Sequence, residues 1–241
     1  MSKIPIYLKS DPATPRPKDS EFFWLTRDGL FFCRNHPFFA SDVPSPRPPA
    51  WLAPHGASCR VSFPKVPVAV LEFAVGFLGL VFERFGSEAI VLLLWNVQRR
   101  RYRLLVPEQE ATVWESSGGY RSALDVTYKV PGVLPRHCLL VGDVHSHGDY
   151  GAYASGVDKR DERHRDGIHI VVGRIDERRP EFHVEMSVDG YRFPVLFDDV
   201  LAGYRRPRTL VPREWLDQLH VTVKRPAWTS YSYSTSYNTE V

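Results

Sequence analysis

Three cysteines, Cys33, Cys59 and Cys138, are all that 241 residues contain, and no CxxC pair is among them. An odd number at unrelated spacings excludes a disulfide framework and a cysteine-built zinc module, leaving buried reduced thiols as the expectation. A charge excess is lacking too: 31 Lys+Arg stand against 28 Asp+Glu, a formal net charge of +3. Such a balance gives no electrostatic footprint for nucleic acid. Short basic runs such as Arg99-Arg100-Arg101 read as solvated surface. No apolar run is long enough for a bilayer: the best stretch, 66–82, carries Glu72 and falls short of the ~20 residues a span needs. The opening MSKIPIYLKSDPATPRPKD has no apolar signal segment. A cytoplasmic protein that engages neither membrane nor nucleic acid is therefore expected. Missing as well are HExxH, PCxxC, G-x-S-x-G and a P-loop, which sets aside several common catalytic and nucleotide sites.

What is present divides unevenly. Twelve of the 20 prolines fall within the first 67 residues. Residues 1–20 read as an extended, poorly ordered lead-in, and the aromatic runs 22–26 and 30–33 flank Asp28-Gly29, the signal of a β-hairpin. A Pro-rich connection follows over 41–54. Residues 1–66 thus form a lead-in and hairpin extension. From Pro67 the pattern changes to a proline-free run, apolar nearly all round, that predicts a buried helix over 68–85, with Gly76 and Gly79 allowing close packing. Strands are predicted at 89–95, 102–106, 138–147, 168–174, 182–188 and 191–196, the first apolar on both faces and hence central. A core of 67–197, a helical segment of 198–225 with helices at 198–204 and 213–219, and a disordered Ser/Thr/Tyr-rich tail of 226–241 complete the reading. The order of elements gives an α+β class: one mixed sheet flanked by helices.

The informative segment is Gly142-Asp143-Val144-His145-Ser146-His147-Gly148 at the end of an apolar strand. Side chains alternate along a strand, so His145 and His147 leave it on one side, the geometry that two ligands of one metal ion require. Downstream, Ser155 and Asp158 open a short helical run. Their i,i+3 spacing places hydroxyl and carboxylate on one face, either as a capping pair alone or as part of a site. A competing reading takes HxHxD from His145, His147 and Asp149, as in the metallo-β-lactamase motif, but Tyr150 stands where that motif has histidine.

The whole string, His-x-His-x7-Ser-x2-Asp, resembles the signature of the JAMM (MPN+/Mov34, JAB-domain) metalloproteases at every defined position. The resemblance covers about 67–197 and implies an MPN-like, cytidine-deaminase-like core. It implies one Zn²⁺ per chain held by His145, His147 and Asp158, with water as nucleophile, Glu88 as general base and Ser155 as an oxyanion donor. Glu88 is the glutamate of choice because it lies between the predicted helix and the central strand, whereas Glu108, Glu110 and Glu115 follow the next strand. The segments around Val106-Pro107-Glu108-Gln109 and Gly167–Gly173 look like a bacterial branch encoded beside ubiquitin-like modifiers and their E1-like and E2-like enzymes, in systems implicated in phage defence. That likeness implies an isopeptidase acting after the tail of a ubiquitin-like modifier. The departure is Gly148, where many members have proline, in a loop that borders the substrate channel. A non-catalytic scaffold and a zinc hydrolase of small amides are the alternatives.

Overall fold

A computed structural model of the chain describes residues 3–208 and 210–226, so the Ser/Thr/Tyr-rich tail from 227 onward lies outside the described residues. The chain divides into two units, Met1–Ala57 and Ser58–Val241. This division falls nine residues before the 66/67 boundary expected from proline content.

The first unit is more than a hairpin. It is a four-stranded sheet in the order β1 (Ile6–Leu8), β2 (Glu21–Thr26), β3 (Gly29–His36) and β4 (Phe39–Pro44), with β1 parallel to β2 and the rest antiparallel. Phe22, Trp24 and Cys33 form its small core. The lead-in is held rather than loose: Arg16 bonds Asp42 at 2.7 Å and Asn35 Oδ1 at 2.6 Å and stacks over Phe22.

The second unit begins its regular structure with α1 (Val68–Phe85). No helix among the described residues is long and apolar enough to cross a membrane. Leu71, Ala74, Val75, Leu78 and Val81 recur at helical spacing and are all buried. Its one buried acid, Glu72, is compensated by Arg208 at 3.1 Å. The expected close approach occurs at Gly76, where a Cβ would stand 2.0 Å from the Arg208 carbonyl oxygen.

Six strands form the central mixed sheet: β5 (Ile90–Asn96), β6 (Arg101–Leu105), β9 (Cys138–Ser146), β10 (Gly167–Gly173), β11 (Glu181–Val188) and β12 (Tyr191–Pro194), in the order β12-β11-β10-β9-β5-β6. β9 and β10 are parallel; the other pairs are antiparallel. A second sheet, absent from the sequence-based expectation, joins β13 (Leu219–Lys224), β7 (Gln109–Glu115) and β8 (Arg121–Tyr128). The short helices are α2 (Gly156–Asp161) and α3 (Phe197–Val200). The segment 198–225 is therefore not helical throughout: it holds the end of α3, a 3₁₀ turn at Arg213–Gln218 and then β13. Parallel pairing with β7 claims β13, a partner far away in sequence.

Strand β9 separates two environments. Val144 and its neighbours Val91 and Ile170 face the apolar core with α1. Asp143 and His145 face the other way, beside His169 and Val171 of β10. A bulge opposite Leu93/Leu94 leaves Val141 without a partner and precedes Gly142. Gly142 has φ +154°, and a Cβ there would lie 1.8 Å from the Ile168 carbonyl oxygen. That contact is backbone on backbone, so no side-chain rotation can relieve it. Gly142→Ala is expected to cost roughly 2–4 kcal/mol, the range of strained core substitutions, read as a lower midpoint in urea denaturation.

Candidate metal centre

His145 leaves β9 near its C-terminal end, in register with Ile90 and Val171. His147 lies one residue beyond the strand and is fixed there because its N–H donates to the Val172 carbonyl at 2.9 Å. The two rings are 5.5 Å apart, and both residues are 6% exposed. Ser146 points to the other side, where its Oγ accepts from the Ala89 N–H at 3.3 Å. That bond ties the start of β5 to the end of β9 and brings Glu88 to the cleft that His145 and His147 line.

Asp158 arrives by helix-end chemistry. Ser155 is the N-cap of α2; its Oγ accepts from the Asp158 N–H at 3.2 Å, and Asp158 Oδ2 accepts from the Ser155 N–H at 2.6 Å. The capping pair and the site are thus one arrangement. Asp158 Oδ2 lies 3.3 Å from His147 Nε2, and Oδ1 lies 3.6 Å from His145 Nε2. Ligand atoms of His145, His147 and Asp158 all lie within 4.8 Å of one another.

The donor set fits a metal ion on its own chemistry. His145 Nδ1 is 3.2 Å from Asp143 Oδ1, an acceptor, which commits the Nδ1 hydrogen to Asp143. His145 Nε2 is buried without a hydrogen-bond partner. Two imidazole nitrogens and one carboxylate, converging with room for further ligands, is a donor set typical of catalytic zinc. A second cluster, Asp143, His145 and Glu162, is equally compact. Cations already crowd its oxygens: His145, His169 and Arg165 around Asp143, and Arg192 at 2.6 Å from Glu162 Oε2 with His169 3.5 Å from Oε1.

Without a metal, these groups stabilise one another's charge. Burial opposes a charged His145, but the hydrogen bond to Asp143 and the nearby Asp158 carboxylate outweigh it and push the imidazole up to about 10. Asp158 resists burial in the same way and is held far below the usual carboxylate range by both histidines. Glu88 is raised, because burial outweighs the pull of His147 and His145.

Of the glutamates weighed from sequence, Glu88 lines the cleft, and Glu108, Glu110 and Glu115 do not. Glu115 instead pairs with Arg121 at 2.7 Å and Arg225 at 2.8 Å. Asp149 is turned away, accepting from the Tyr120 hydroxyl at 3.0 Å, so the HxHxD reading finds no third ligand there. Sequence reasoning gave no role to Asp143, although its i−2 position on the same strand face was a usable signal. It also missed Tyr153, whose ring makes a T-shaped contact with His147 at a centroid distance of 4.9 Å, and the wall built by Leu124, Asp125 and Val126 of β8.

A metal ion must displace the proton that His145 holds up to about pH 10. Affinity for Zn²⁺ is therefore expected to rise about tenfold per pH unit between pH 6.5 and 8, with about one proton released per ion. Calorimetric titration in two buffers of different ionisation enthalpy measures that release; a pH-independent affinity contradicts it.

Residues 77–186 match the family described as prokaryotic homologs of the JAB domain. No curated protein matches the chain. The family includes JAMM-type hydrolases and commonly binds zinc. The matched segment runs from within α1 into β11 and contains Glu88, both histidines, Ser155 and Asp158, and over these residues the chain is similar to the JAB-domain family.

Proposed function

We propose that the chain is a zinc-dependent peptidase or isopeptidase that cleaves the bond after the C-terminal tail of a ubiquitin-like modifier. The observation that carries the reading is the meeting of His145, His147 and Asp158 with Glu88 in one cleft. His145, His147 and Asp158 would hold the zinc. When bound, it supplies Lewis acidity, polarising a carbonyl and making water easier to deprotonate.

The chain's own groups supply the rest. Glu88, half-buried at the cleft, takes a proton from the attacking water and returns it to the leaving amine; burial raises its proton affinity, which suits both transfers. The Ser155 hydroxyl accepts from the Asp158 N–H, leaving its own hydrogen free to donate to the developing oxyanion. The cleft wall favours an extended substrate. β8 is the edge strand of the β13-β7-β8 sheet, and its consecutive residues Leu124, Asp125 and Val126 line the cleft, so a strand edge rather than a strand face is presented. A modifier tail can add to that edge through main-chain hydrogen bonds. Tyr150 and Tyr153 stand on the cleft as well, which favours small residues beside the scissile bond. By the resemblance to the bacterial branch, E1-like and E2-like proteins of an antiphage conjugation system are the partners.

Glu88→Gln is expected to keep zinc at one ion per chain while losing about 10²–10⁴ in turnover of a modifier–peptide fusion. Ser155→Ala is expected to keep zinc and lose about 10²–10³ in kcat, the cost of one oxyanion donor. Fusion cleavage followed by gel and mass spectrometry, beside elemental analysis, checks both. Turnover unchanged in Glu88→Gln overturns the mechanism. Turnover of free small amides but not of the fusion replaces the substrate class.

A further inference from the structure

We propose that a buried relay, Glu162–His169–Asp143, is a positioning device that orients the metal-binding nitrogen of His145; this rests on the zinc reading above. An imidazole can ligate through Nε2 only when its hydrogen is kept on Nδ1. Asp143 Oδ1 is the acceptor that keeps it there, at 3.2 Å. A carboxylate does this reliably only if its own orientation is fixed.

His169 fixes it. It lies directly beside Asp143 in the β9–β10 register, on the face of the sheet opposite the apolar core. Its Nδ1 is 2.8 Å from Asp143 Oδ2, and its Nε2 is 3.2 Å from the Arg165 carbonyl oxygen. Both ring nitrogens face acceptors, so both donate, and the ring is held at two ends. Glu162 Oε1 approaches the same Nδ1 at 3.5 Å, while Oε2 takes Arg192 Nη1 at 2.6 Å. Arg192 also bonds Glu185, the residue in register with His169 on β11. Arg165 adds a third cation, 3.5 Å from Asp143 Oδ2. The charges run from Arg192 on the flank of the sheet to His145 at the cleft, with both Asp143 oxygens and Glu162 Oε2 occupied by donors and Glu162 Oε1 within ion-pair distance of His169.

This arrangement differs from an ordinary satisfied ion cluster in where it ends. Its last hydrogen bond lands on a ring whose other nitrogen is buried and unpartnered. Buried ionic groups of this kind seldom add net stability over apolar packing, so orientation of His145 is the effect that the geometry explains. His169, Arg165 and Arg192 also crowd the Asp143–Glu162 oxygens, leaving no place there for a second cation.

The test uses the full chain and zinc alone as probe, with dissociation constants from chelator competition and melting temperatures of the metal-free proteins. Asp143→Asn and His169→Gln are both expected to weaken zinc binding about ten- to a hundredfold, the usual effect of removing a partner behind a metal-binding histidine. A purely structural cluster would lower the metal-free melting temperature and leave the dissociation constant at the wild-type value, which overturns the relay. Weakening in Asp143→Asn alone reduces the device to one hydrogen bond and also overturns it. Should His169→Gln fail to fold, Glu162→Gln, of the same shape, replaces it: a severalfold weaker site supports the relay and an unchanged one overturns it. Wild type that binds no zinc removes the metal reading and the relay together, whereas wild-type binding with unaffected variants removes the relay only.

Discussion

The pairing of β9 with β5 on one side and β10 on the other leaves its side chains no choice of face. Every second residue must enter the apolar core beneath α1, and every other one must not. That constraint lets one short strand anchor a hydrocarbon interior through Val144 and present His145 to a cleft with Asp143 buried behind it. A slip of one residue would exchange the two faces. The backbone contact at Gly142 and the bulge before it pin the register where the exchange would be most costly.

The polar face imposes a second requirement. Asp143, His169, Glu162 and His145 are all at least nine-tenths buried, and isolated charges at such depth are untenable. The chain meets this by placing acids and bases in cross-strand register, so the sheet that orders the core also orders the charges. Arg165 and Arg192 close the outer ends, and the Arg165 guanidinium sits over the Tyr128 ring, 5.0 Å from its centroid. Desolvation is thereby shared across a network instead of falling on one ligand.

Much of this could be read from the residues alone. α1, β5 and β9 to β12 appeared within a residue or two of their observed ends, because long apolar runs with clear periodicity leave few alternatives. The spacing marked His145, His147 and Asp158, whose ligand atoms lie within 4.8 Å of one another, and Ser155, which caps the helix that carries Asp158. The β13-β7-β8 sheet was not legible. Gln109–Glu115 alternates, with Ala111 and Val113 inward, but acids and threonines dilute the pattern, and its partner β13 follows a turn that reads as helix. Asp143 and His169 are 26 residues apart, and only the parallel register sets them side by side. In the first unit, β1 and β4 escaped notice because proline-rich sequence masks short edge strands.

The capping box of α2 carries one more consequence. Six residues are too few for a helix to stand on its own, so α2 owes its order to its ends. Asp158 closes its first turn with the same Oδ2 that faces His147. Whatever occupies the space between those groups draws on the atom that keeps the turn wound. Local folding of residues 155–161 and occupancy of the cleft are therefore linked equilibria, and the loop leading into α2 tightens or frays with the load beside it.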